Sequence, residues 1–99
     1  MDKLIVHVDP DLRDLLPTYL ARRQQDVTAL TEALNRCDYE AIRVIGHNMK
    51  GTGSGYGLEA VGRVGDELER AAPQHDTQAI VTLINRLDDY LRRLEIVFD

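Results

Sequence analysis

The chain has no tryptophan, one phenylalanine and a single cysteine, and it carries more negative charge than positive. Each shortage excludes something. Cys37 has no second cysteine to pair with, so no internal disulfide is expected and a reducing, cytoplasmic setting fits. No apolar run approaches the ~20 residues that span a bilayer. The opening Met1-Asp-Lys-Leu-Ile-Val-His-Val-Asp-Pro10 has too short an apolar stretch, and no small-residue cleavage site, for a secretory leader. Twelve Lys and Arg against 17 Asp and Glu give a net charge of −5, which argues against nucleic acid and anionic membrane as general partners. With so few aromatic residues there is no platform on which bases could stack. His7, His47 and His75 are widely separated, and no His or Cys pair has ligand spacing, so no metal site is expected. Nothing offers a nucleophile–base–orienter set, so the chain does not read as an enzyme. The acidic residues are spread over helix surfaces and read as solvated faces.

What is present is a helical pattern. Ninety-nine residues, 43% of them hydrophobic, form one domain over 1–99 with enough apolar side chains for a core. Residues 3–8 are a short β-leaning run with no evident pairing partner, expected to lie extended against the rest. Asp9-Pro10 starts a short helix over about 10–16, and Pro17 forces a kink or a fresh start. From Thr18 to Arg36, Leu20, Val27 and Leu34 recur every seven residues with Leu16 and Leu30 between them, the seam of a bundle helix. Asp38 is placed to cap a second helix from Tyr39, with Ile42, Ile45 and Met49 inward and Gly51, Gly53 and Gly55 ending it. A third helix spans about Leu58 to Ala72, with Leu58, Val61, Gly65, Leu68 and Ala72 on one face. Gly62 and Gly65 within it point to close approach of a neighbouring helix. Pro73–Asp76 is a turn. The last helix then keeps a bundle period from Ile80 through Val97. Four amphipathic helices with short loops predict an all-α antiparallel up-down-up-down bundle with a short extra N-terminal helix.

Two glycine patterns carry no nucleotide-binding meaning. Lys50-Gly51-Thr52 reverses the order that a phosphate-cradling loop requires, and Gly55-Tyr-Gly-Leu-Glu-Ala60 lacks the strand that a dinucleotide site needs before it. His47 is the informative residue. It falls on the helix face opposite Ile42, Ile45 and Met49, together with Lys50, Gly51 and Ser54. Arg43 lies one turn before it and Lys50 one turn after, a basic stripe on an acidic protein. Gly51 removes a side chain that would crowd the ring. A neutral imidazole is a good nucleophile toward an activated phosphoryl group, and flanking cations offset the charge that arrives.

The run His47-Asn-Met-Lys50-Gly51-Thr-Gly-Ser-Gly-Tyr56-Gly57-Leu58 resembles the signature of histidine-phosphotransfer (HPt) domains, and the similarity extends over nearly the whole chain. Gly46, where the family often has alanine, is a mild departure. The resemblance implies a phosphocarrier in a two-component multistep phosphorelay. His47 would accept a phosphoryl group on Nε2 from a receiver-domain aspartate, or from a histidine kinase, and pass it to a response-regulator aspartate. Lys50 would hold phosphoryl oxygens, with Ser54 or Thr52 donating a hydrogen bond, while Gly51 and Arg43 would serve steric access and partner docking. No cofactor of its own is implied, since the receiver supplies Mg²⁺. The expected partners are receiver domains of response regulators or hybrid kinases, met by a monomer. The alternative is a bundle that binds and regulates a receiver or kinase without carrying phosphate.

Overall fold

The computed structural model describes residues 2–99. Four helices make the body: α1, Leu16–Asn35; α2, Tyr39–Gly53; α3, Glu59–Ala71; and α4, Thr77–Arg93. Two strands, β1 (Leu4–Val8) and β2 (Leu94–Phe98), pair in parallel. Among the described residues no helix is long and apolar enough to cross a membrane.

Asp38 caps α2 where the sequence places it, and Asp76, at the end of the Pro73–Asp76 turn, caps α4. Asp38 accepts from the Ala41 amide at 3.1 Å and Asp76 from the Ala79 amide at 3.2 Å, each satisfying an orphan donor of its helix. The inward faces of α2, α3 and α4 are as their periodicity predicts: Ile42, Met49, Leu58, Val61, Leu68, Ile80 and Leu87 are completely buried. Each such side chain contributes about 1.5–3 kcal/mol by leaving water. The α1 seam is rotated from expectation. Leu16 and Leu30 are buried, but Leu20, Val27 and Leu34 only partly, while Tyr19, Arg23 and Ala33 turn inward.

Both chain ends depart from the sequence reading. The expected helix over 10–16 is a single 3-10 turn, Pro10–Leu12, and α1 begins afresh with Pro17 in its first turn, where a missing N–H costs nothing. The last helix does not run to Val97. Leu94 turns extended (φ −68°, ψ 130°), and Leu94–Phe98 pairs with the segment that had no evident partner, Leu4 opposite Leu94 and Val8 opposite Phe98. Leu94 and Val97 fit a helical spacing, but the alternation of Leu94, Ile96 and Phe98 against Glu95 and Val97 fits a strand equally, and tertiary pairing decides. An isolated two-stranded ribbon is marginal in water. Here Val6, Val8, Leu94, Ile96 and Phe98 pack on the core. His7 Nδ1 to Asp99 Oδ1 (2.9 Å) and Arg93 Nε to the Asp2 carbonyl (2.7 Å) tie the ends.

Helices α2 and α3 meet backbone to backbone. A Cβ placed on Gly65 would lie 2.5 Å from the Lys50 amide nitrogen and 2.6 Å from the Gly46 carbonyl oxygen. One on Gly46 would lie 2.8 Å from the Gly65 carbonyl oxygen and 2.9 Å from the Glu69 amide nitrogen. Gly53 abuts the Gly62 backbone in the same way, whereas Gly62 itself has room. The close approach expected from Gly62 and Gly65 is therefore made by Gly65, Gly46 and Gly53. Gly46, a mild departure by sequence, sits where this chain cannot take a side chain without moving α3. The connection is short: a 3-10 turn over Ser54–Tyr56, then Gly57 in the left-handed region (φ 74°) that glycine adopts freely. The Leu58 amide closes it on the Gly53 carbonyl at 2.9 Å.

Gly65→Ala should lower stability by about 1–3 kcal/mol, because the backbone it meets cannot yield cheaply. Gly51→Ala, with nothing within 4 Å of the new Cβ, should raise it by about 0.5–1 kcal/mol through helix propensity. Urea midpoints of the two variants, moving in opposite directions, check the pair.

Candidate functional site

Because α2 turns Ile42 and Met49 into the core, His47 is carried to the outside, where its side chain is 66% exposed. Gly46, one residue earlier, rests against the backbone of α3 at Glu69. That contact brings the Glu69 carboxylate onto the imidazole, with Glu69 Oε2 2.6 Å from His47 Nδ1. An ionised carboxylate only accepts, so Nδ1 must be the donor. Nε2, across the ring, then keeps its lone pair. The bond from His47 is the chief reason the Glu69 carboxyl is held below its ordinary range; burial opposes it, and the charges of His47 and Lys50 add to it.

Lys50, one turn along α2, has two carboxylate partners: Asp66 Oδ1 at 3.3 Å and Glu69 Oε1 at 3.5 Å. Asp66, whose hydrogen bond and charge dominate, and then Glu69 raise the lysine's pKa. The other Asp66 oxygen takes Arg70 Nη2 at 2.8 Å. Arg43 forks onto Glu40, Nε to Oε2 at 3.0 Å and Nη2 to Oε1 at 2.5 Å. The basic stripe of the sequence is thus neutralised. Three cations (Arg43, Lys50, Arg70) face three carboxylates (Glu40, Asp66, Glu69).

Thr52 and Ser54 part company. The Thr52 hydroxyl donates to the Asn48 carbonyl at 3.0 Å, accepts from Arg23 Nη1 at 3.1 Å and meets Tyr19 Oη at 3.1 Å, so it is engaged with α1. Arg23, 9% exposed, lies over the Tyr19 ring and forms an ion pair with Asp26 at 2.8 Å, in a geometry too bent for a directed hydrogen bond. Burial pushes the Asp26 carboxyl up, against the pull of Arg23. Tyr19 stacks on Tyr56, centroids 4.0 Å apart, anchoring the turn after α2 to α1. Ser54 is exposed at the end of α2, and its hydroxyl takes no part in the His47–Glu69–Lys50–Asp66 network. Gly51 is exposed with open space around it.

The sequence reading takes the acidic residues on the helix surfaces as solvated faces and so misses Glu69 and Asp66. A signal was available. Gly62, Gly65, Asp66 and Glu69 recur at three- and four-residue intervals along α3, so the stripe read as a helix contact carries the two carboxylates toward α2. An open groove of about 630 Å³ runs between α3 and α4 past Glu67, Arg70 and Arg86, and His47 is not part of its lining. Among the described residues no cluster of three or more His, Cys, Asp or Glu is placed to hold a metal ion.

The bundle thus presents an imidazole, oriented by a carboxylate of the neighbouring helix, to solvent. The chain matches the Hpt domain family over residues 14–96 and belongs to it. Domains of this family serve histidine phosphotransfer in two-component phosphorelays, as phosphocarriers that interact with receiver domains and histidine kinases. β1 lies outside the matched stretch. No curated protein and no solved structure matches the chain.

The glutamine amide both donates and accepts, so Glu69→Gln no longer dictates the tautomer. ¹⁵N NMR of the neutral His47 ring should show the Nδ1–H form dominant in the wild type and a shift toward Nε2–H in the variant. Glu69 also carries a pH signature. Its folded pKa lies below the unfolded one, so its stabilisation is fully present above about pH 4.3 and is lost as pH falls through the lower folded value. The stability gap between wild type and Glu69→Gln should shrink over that fall.

Proposed function

We propose that His47 is the phosphoryl acceptor and donor of this domain, taking the group on Nε2 from a receiver aspartate or a histidine kinase and passing it to a response-regulator aspartate. The observation that carries the reading is the 2.6 Å contact between Glu69 and Nδ1 on an exposed ring. The Nε2 lone pair attacks phosphorus, the bond from phosphorus to the aspartyl oxygen breaks, and the aspartate leaves as a carboxylate. The Nδ1 proton stays in place. The positive charge that builds on the ring is offset by Glu69, and the reverse sequence returns the group to the next aspartate. Lys50 holds phosphoryl oxygens, and Ser54, at the open end of α2, donates a hydrogen bond to them or to the partner. Gly51 leaves a flat approach for the receiver, and Arg43, with Glu40, lies where the receiver's rim docks. No metal of this chain's own is invoked: a receiver's acidic pocket would hold Mg²⁺, which would offset the phosphoryl charge on that side. Such transfer rests mainly on positioning and electrostatics, which suits a surface with no general base of its own.

The short loops favour antiparallel neighbours in up-down-up-down order, and the charged exterior favours a monomer working in the cytoplasm away from nucleic acid.

Incubation with a phosphorylated receiver should place acid-labile, base-stable label on the wild type and none on His47→Gln, with both folded by circular dichroism. Label persisting on the variant refutes the assignment. Receiver binding without label, for the wild type across several receivers, would point instead to an interaction module. Lys50→Ala should slow acceptance by about tenfold, the value of one lost charge-assisted contact, read by rapid-quench labelling.

A further inference from the structure

Lys50 is not idle in the resting protein. Its ammonium lies 3.3 Å from Asp66 and 3.5 Å from Glu69, both carboxylates of α3. The two carboxylates have different commitments. Glu69 is bound to the His47 ring through Oε2, and the Nδ1 proton it accepts is retained when Nε2 is phosphorylated. Asp66 pairs with Lys50 and, on its other oxygen, with Arg70 at 2.8 Å, rather than with the ring. A phosphoryl group on Nε2 brings about two negative charges to a point one helical turn from Lys50. The lysine can turn to it only by giving up a carboxylate. Asp66 is the one that can be given up, because Arg70 keeps it from being left without a cation.

We propose, resting on the phosphocarrier reading above, that Asp66 sets the phosphoryl-transfer potential of His47 by competing with the phosphoryl group for Lys50. In the unmodified protein the Asp66–Lys50 pair is intact. In the phosphorylated protein it is opened, so phosphohistidine is stabilised by less than a free lysine would provide. The domain therefore holds its phosphoryl group loosely and gives it up readily to the next aspartate. Asp66 acts through Lys50 and is a positioning residue. No bond to phosphorus involves it, and the transfer itself is balanced as written above.

The test is the equilibrium distribution of label between a receiver aspartate and His47, measured with the intact 99-residue chain and one receiver charged by a small phosphodonor. Asp66→Asn should shift the distribution toward phosphohistidine by about two- to fivefold, the range expected when a solvent-exposed ion pair stops competing. Lys50→Ala should shift it toward the receiver. In the Lys50→Ala background, adding Asp66→Asn should change nothing, because the competitor has lost its object. An unchanged distribution in Asp66→Asn, or an equal shift with and without Lys50, overturns the proposal. The second result would reduce Asp66 to a general negative charge. A wild type that takes no acid-labile label at all marks failure of the underlying reading instead, and the two failures are distinguishable. Because Asp66 is partly exposed and its asparagine variant keeps its shape, the melting temperature serves as the folding control.

Discussion

The backbone contact between α2 and α3 at Gly46 and Gly65 is the constraint on which the site depends. His47 and Glu69 are 22 residues apart, on different helices, and their 2.6 Å hydrogen bond exists only because the two helices lie closer than side chains would allow. Nearly the same geometry delivers Asp66 to Lys50. A methyl group at the seam would therefore act twice, on packing and on the tautomer of the imidazole. Stability and chemistry share one structural cause here, and the small residues of the seam are better understood as spacers of functional groups than as weak points of helices.

Electrostatically the site is quiet. The cations that flank His47 in sequence are each answered by a carboxylate in space, so the resting surface around the ring carries little net field. On the phosphocarrier reading proposed above, such balance suits a group that must be both charged and discharged. A strongly cationic cradle would accept phosphate and retain it, whereas one in which every cation already has a partner makes binding an exchange. Buried polar contacts are kept apart from this exchange. Arg23, Tyr19 and Thr52 lie on the α1 side of α2, where they hold the glycine-rich last turn of the helix that carries Lys50.

The helices and their inward faces were legible because burial leaves a strong periodic mark: Ile42, Met49, Leu68, Ile80 and Leu87 each sit where the 3.6-residue repeat places them. His47 and Lys50 were legible for the same reason, as polar residues on the face opposite a clear apolar stripe. Three things were less so. Leu94–Phe98 satisfies helical and strand spacing alike, and only the presence of residues 4–8 beside it resolves the choice. Arg23 looks like a surface residue until Tyr19 and Thr52 are brought around it. Asp66 and Glu69 are acidic residues in an acidic protein, and what distinguishes them is a neighbour distant in sequence. Local pattern records which face of a helix is dry; it records pairing across helices only indirectly, here through two glycines.

The parallel ribbon has a mechanical consequence. With Leu4 opposite Leu94 and Val8 opposite Phe98, the incoming chain enters β1 at one end of the ribbon and the outgoing chain leaves β2 at the other. Tension applied to the two termini therefore loads the strand pair in shear, so its hydrogen bonds share the force and must fail together. In an antiparallel arrangement the same pull would peel them apart one at a time. The four helices, and the imidazole they display, sit behind this clasp as a closed loop, shielded from strain transmitted along the chain until the ribbon itself gives way.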